Sequence, residues 1–178
     1  KWIALMPGSK KAKLQIGIPF FLDVADKLSK LMPDCNFLLP IAPTTNIEEF
    51  QYFSSSSNPI SKKYQSGIKK ILNSTNHQSR KVLITINETL IYLEEDHPAH
   101  NTLTQCSLAL TTVGANTAEL GALSIPMIVI IPTQHLGSMQ AWDGLIGIIG
   151  RLPGLKFCIG ILITLWRLRN KGFIAWPN

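Results

Sequence analysis

Between residues 82 and 150 the chain has no lysine or arginine, against six acids; beyond residue 150 it has five basic residues and no acid. Residues 1–81 carry twelve basic residues and five acids, so the net charge of +6 is the sum of three blocks of alternating sign. Aromatics are few, at 8%, and no recognised nucleic-acid motif accompanies the basic ends, so nucleic acid is not an expected partner. Cysteine is scarce too. Cys35, Cys106 and Cys158 lie far apart with no CxxC pair, which argues against a zinc site or a disulfide framework and for reduced core residues in a cytosolic protein. Long apolar runs are also missing. The longest clean one, Phe157–Trp166, is ten residues, about half of what spans a bilayer. No run alternates apolar and polar residues strictly enough to predict an antiparallel sheet open to water on one face.

What is present is an apolar content of 46% with 16% charged residues, suited to one domain with a real core. Buried strands are expected at Trp2–Met6, Asn36–Ile41, Val82–Ile86, Leu108–Val113, Met127–Ile131 and Gly172–Trp176. Leu90–Leu93 reads either as a short edge strand or as the return of a hairpin through Asn87-Glu88. Helical spacing runs over Phe20–Met32, with Phe21, Val24, Ala25, Leu28 and Leu31 on one face. A second helix is expected within Lys62–Leu72, with Tyr64, Ile68, Ile71 and Leu72 inward, and a third ending over Leu103–Ser107. His97-Pro98-Ala99-His100 reads as a loop entering that helix, because proline between the histidines spoils a helical metal face. Ser54–Pro59 reads as a loop, and the sequons at Asn73 and Asn87 carry no weight. Strands alternating with helices predict an α/β fold with a doubly wound, Rossmann-like parallel sheet.

The richest stretch is Leu110 to Gln134: strand, turn at Gly114, helix over Asn116–Leu123, a break at Ser124-Ile125-Pro126, and strand. A strand that turns through glycine into a helix aims backbone N–H groups and the positive helix end above the sheet, which suits a diphosphate. Glu119 is the only acid between Asp96 and Asp143. One turn behind an anion site, its carboxylate suits the hydroxyls of a ribose. The plainer alternative is a capping box, Asn116-x-x-Glu119, in which the acid only satisfies the helix's own amides. At the other end of the chain, Pro7-Gly8-Ser9-Lys10 leaves the first strand and opens either a ligand loop or an ordinary turn followed by the solvated run Lys10-Lys11-Ala12-Lys13. Pro132-Thr133-Gln134-His135 leaves the carboxyl end of a strand, the edge where open α/β sheets bind ligands.

In order, these motifs resemble those of the lipid-A-disaccharide synthase family of glycosyltransferases. Pro7-Gly8-Ser9-Lys10 resembles the family's Pro-Gly-Ser-Arg, with lysine in place of the bidentate arginine. Val113-Gly114-Ala115 stands where the family has Ser-Gly-Thr, Glu119 and Pro126-Met127-Ile128-Val129 match, and Pro177-Asn178 resembles a Pro-Asn pair whose asparagine belongs to the active site. The resemblance implies that residues 1–178 form the UDP-sugar-binding domain of a two-domain GT-B enzyme, a fragment of a longer chain lacking the amino-terminal acceptor domain. It also implies an inverting transferase that moves an acylated glucosamine to a lipid acceptor, needs no cofactor, and works in the cytoplasm on the inner face of the cytoplasmic membrane. Gly8, Ser9, Lys10, Gly114, Ala115, Asn116, Glu119 and Gln134 would hold the UDP-sugar, with Asn178 catalytic and the base in the missing domain. His135 is a second candidate beside Gln134.

The basic, apolar segment 145–171 suits anionic lipid headgroups, and a core helix with solvated ends accounts for it equally well. Two other classes of function therefore stay open: a non-catalytic nucleotide-binding domain, and a peripheral membrane-binding domain with the sheet as scaffold.

Overall fold

Apolar residues stand at both odd and even positions of the strands, so both faces of the sheet need a helical cover. The computed structural model describes residues 1–55, 57–73 and 80–130. It has strands β1 (Trp2–Met6), β2 (Asn36–Pro40), β3 (Ile68–Asn73), β4 (Lys81–Thr85), β5 (Leu90–Glu94), β6 (Leu108–Thr112) and β7 (Met127–Ile130). The helices are α1 (Lys11–Leu31), α2 (Ile47–Ser54), α3 (His100–Leu103) and α4 (Ala115–Ala122). The sheet order is β3-β4-β5-β2-β1-β6-β7. From β5 to β7 all neighbours are parallel, while β3, β4 and β5 pair antiparallel. The fold is an α/β, Rossmann-like arrangement with a mostly parallel sheet.

Alternation along each strand sends side chains to two cores. Ile3, Leu5, Phe37, Leu39, Ile91 and Leu110 pack with α1 and α2 on one face. Ala4, Met6, Leu38 and Ala109 pack on the other with Leu103 and Cys106 around α3, and with Leu120 and Ile125 at α4. The chain leaves β1 through α1 towards β2, then returns through α3 to β6 on the opposite side of β1. That reversal makes β1/β6 the topological switch point, where the following helices depart from opposite faces and leave a crevice.

Four expectations need correction. Helix α1 begins at Lys11, well before Phe20, and runs through Pro19. Proline removes the N–H that would bond the Gln15 carbonyl. The fully buried Asn58 replaces it, its Nδ2 donating to Gln15 O at 2.8 Å and Phe53 O at 2.6 Å. Gly17, also before the proline, lets the Pro7 loop lie against the helix, since a Cβ there would stand 2.7 Å from Pro7 Cβ.

The helix expected over Lys62–Leu72 is instead a short 3-10 turn, Ser61–Lys63, followed by β3. The register of β3 shifts between Ile68 and Lys70, so that Ile68 faces Thr85 while Ile71 faces Leu83. One extra residue puts two isoleucines three apart on the same face of a strand, a spacing that imitates a helix. α2, which the sequence reading does not include, ends at Ser54, the first residue of the loop expected over Ser54–Pro59.

Finally, β5 is no edge strand. It pairs with β4 through a turn at Asn87-Glu88, the hairpin alternative, and with β2 in parallel on its other side. The sheet thus carries an antiparallel margin, of which the hairpin alternative anticipates the β4–β5 pair but not β3 beside it. α3 ends at Leu103, where a helix closing over Leu103–Ser107 was expected. The strand expected at Gly172–Trp176 and the apolar segment 145–171 lie outside the described residues. Among the described residues, no helix is long and apolar enough to cross a membrane.

Candidate functional site

β1 and β6 run side by side in register, Met6 opposite Thr111, so the loops that follow them emerge together. Two hydrogen bonds tie these loops to each other. Thr112 Oγ1 donates to the Pro7 carbonyl at 3.1 Å, and Lys13 Nζ donates to the Val113 carbonyl at 2.6 Å.

Each loop turns on a glycine in a conformation that side chains disfavour. Gly8 has φ +103°, and a Cβ there would stand 3.2 Å from Lys13 Cδ and 3.4 Å from Thr112 Oγ1. Gly114 has φ 155° and ψ −164°, a region populated essentially by glycine, and its added Cβ would stand 3.0 Å from Lys13 Nζ. Both glycines therefore close around one lysine.

The helices that start here are left open. α1 begins after Lys10 and α4 after Gly114; neither receives a side-chain cap, and neither has an acid in its first turn. α2 makes the contrast. Its first turn holds Glu48 and Glu49, and Asn46 Oδ1 accepts from Glu49 N at 2.7 Å. Two uncapped helix starts at one crevice present amide donors and positive dipole ends to an anion.

Glu119 stands one turn into α4, half-exposed, 3.2 Å from Nε2 of His100 at the start of α3. The capping-box alternative does not hold. The cap position belongs to Gly114, Asn116 lies within the helix, and the hydroxyl that turns back is that of Thr117, donating to Gly114 O at 2.7 Å. Glu119 is thus available to a ligand at the price of one histidine contact.

Of the residues singled out in the sequence, Gly8, Ser9, Lys10 and Gly114 lie on this pair of loops, Ala115 and Asn116 open α4 directly after them, and Glu119 stands one turn further along that helix. Gln134, His135 and Asn178 lie outside the described residues. Lys13 was overlooked, because residues 10–13 read as a solvated run. Extending α1 back to Lys11 would have aligned Lys13 with Gly17, one turn apart on the stripe that faces the Pro7-Gly8 loop. Its pKa is lowered from the ordinary lysine value, first by burial and then by the nearby charge of Lys10.

Cys106 is a core thiol, pushed up to about 11 by burial despite the Arg80 charge, and at neutral pH it is no nucleophile. Near it, at the end of β5, the buried Glu94 carboxylate accepts from Thr102 Oγ1 at 2.6 Å and meets Arg80 Nε at 3.1 Å.

No family model matches the chain. Over 47 residues it is 36% identical to the lipid-A-disaccharide synthase of Chromobacterium violaceum; the match covers 26% of this chain and 12% of that protein's length. A likeness of this extent supports a distant relationship to a glycosyltransferase and does not establish membership of that family.

Proposed function

We propose that the β1/β6 crevice binds the UDP portion of a sugar nucleotide, and that the protein supplies the donor-binding half of an inverting glycosyltransferase of the lipid-A-disaccharide type. The observation that carries this reading is the pairing of two glycine turns and two uncapped helix starts at one switch point, with a carboxylate one turn behind. The short likeness to a lipid-A-disaccharide synthase points the same way.

In this reading the amides of Gly114–Asn116 and the Gly8-Ser9-Lys10 loop take the diphosphate, and Glu119 takes the ribose hydroxyls. Gln134 and Asn178 are assigned to the transferred sugar. The chemical task is electrostatic, since negative charge grows on the diphosphate as the sugar leaves and fixed donors stabilise it without reorganising. The acceptor is an acylated lipid sugar at the cytoplasmic membrane surface, approached through residues 145–171. The base comes from a second domain, so the 178 residues alone turn nothing over.

Calorimetric titration with UDP and with ADP, repeated on Glu119→Ala, tests the reading. UDP should bind more tightly than ADP, and the variant should lose about 10-fold or more, the worth of a hydrogen bond to a charged group. Equal binding of UDP and ADP, unchanged in Glu119→Ala, would remove the sugar-nucleotide assignment. A protein that ignores UDP but binds anionic liposomes, and loses them when Arg167, Arg169 and Lys171 are reversed in charge, is the peripheral membrane domain instead.

A further inference from the structure

Among the described residues, two lysines are only half-exposed, Lys13 and Lys81. Lys81 has a carboxylate partner, Glu95, at 2.8 Å. Lys13 has none among the described residues. Its ammonium gives one of three donors to the Val113 carbonyl and stands where a side chain on either Gly8 or Gly114 would crowd it. A cation drawn out of water without a counter-charge is unfavourable. Here it also requires glycine at two turns, each of which costs chain entropy. A strut between the loops would not need these concessions, because Thr112 already ties them through an uncharged hydroxyl.

The concessions make sense if the counter-charge arrives with a ligand. We infer that the Lys13 ammonium is the cation that meets the diphosphate, in place of Lys10, an inference that rests on the nucleotide reading above. Lys10 is exposed at the cap position of α1, its charge screened by water. Lys13 lies between the two turns, so a diphosphate held by the amides of both would span it. The departure from arginine at Lys10 then loses its importance, because the bidentate fork is replaced by a point charge set deeper in the crevice.

The test uses UDP and inorganic diphosphate as probes on the wild-type protein, Lys13→Met, Lys13→Gln and Lys10→Met. Both Lys13 variants should lose about 10- to 100-fold in affinity for each probe, the range of one charge-assisted hydrogen bond. Lys10→Met should lose no more than about 3-fold, as for an exposed charge. Wild-type protein that binds UDP, with the loss falling on Lys10→Met and not on Lys13, overturns the inference and leaves the nucleotide reading standing. Wild-type protein that binds neither probe overturns both.

Should the Lys13 variants fail to fold, the side-chain resonances of Lys13 in the wild-type protein decide. Saturating UDP should raise its titration midpoint, because the bound anion favours the charged form. A mere strut would leave the midpoint where it was, and that result sinks the proposal.

Discussion

Helix α1 carries three charges away from water: Asp23, which Lys27 of the same helix answers at 2.6 Å, and Lys13 near its start and Asp26 near its end, which the protein treats in opposite ways. Asp26 is buried and fully answered. Thr85 Oγ1 donates to it at 2.5 Å, Asn87 Nδ2 at 2.7 Å, and Ser66 Oγ adds a further short hydrogen bond. Those donors come from the segment just before β3, from the end of β4 and from the β4–β5 turn. Asp26 therefore fastens the antiparallel margin of the sheet to the helix. Lys13, at the crevice end, is answered by one carbonyl. A charge whose partners are all supplied by the chain is part of the fold, and a charge left short of partners beside two open helix starts is part of a site.

The comparison predicts that the two ends of α1 respond oppositely to neutralisation, and the largest effect belongs to Asp26. Asp26→Ala leaves the two buried hydroxyls of Ser66 and Thr85, and the exposed Asn87 amide, without their acceptor and should cost about 3–5 kcal/mol, read from the urea midpoint. Asp26→Asn keeps an acceptor but turns an amide towards the same donors, and should fall between the two. A loss below about 1 kcal/mol for Asp26→Ala would break the comparison at its structural end.

A smaller effect is expected midway along the helix, where the problem is a carbonyl and not a charge. Asn58→Leu strips the Gln15 carbonyl of the donor that replaces the proline's missing N–H, and should cost about 2–3 kcal/mol. A double-mutant cycle separates the bond to Gln15 from the bond to Phe53. Pro19→Ala restores a backbone N–H to the Gln15 carbonyl, so the cost of Asn58→Leu should shrink by about 1 kcal/mol in that background. Strict additivity would mean that Asn58 acts only through Phe53 and the loop it closes.

These same residues explain what could be read in the sequence and what could not. The parallel strands are legible because they are short apolar runs bounded by turn residues, and so is a glycine turn after each of two of them; that the two turns lie side by side follows from the sheet order, which local pattern does not carry. α1 was cut short because Pro19 normally ends a helix, and the rescue by Asn58 is a contact across the fold with no local signature. β3 imitates a helix because a bulge converts the two-residue period of a strand into three. Lys13 was missed for a related reason. Its importance lies in two turns, one of them a hundred residues further along the chain, that close around it. Local pattern finds elements and turns, whereas partners brought by tertiary contact decide which charge is structural.

The smallest effect is at Lys13 itself, and its sign matters more than its size. Burial and Lys10 lower the lysine's pKa in the folded protein below its ordinary 10.5. Below the folded value both states are protonated, and the penalty on the folded state is fully present. Between the two values the unfolded chain holds more protons, so this residue's contribution to stability rises with pH; above 10.5 both states are neutral and the penalty is gone. Lys13→Met should therefore be as stable as wild type at neutral pH, or more stable by less than about 1 kcal/mol. That difference should shrink towards zero as the pH approaches 10.5, and comparing the two proteins at each pH cancels the titrations of groups remote from Lys13. Unlike Asp26, Lys13 would then be a group whose removal spares the fold and harms only binding. If Lys13→Met is instead destabilised at neutral pH by more than about 1 kcal/mol, the hydrogen bond to Val113 outweighs the buried charge. Lys13 would then belong with Asp26, as part of the frame.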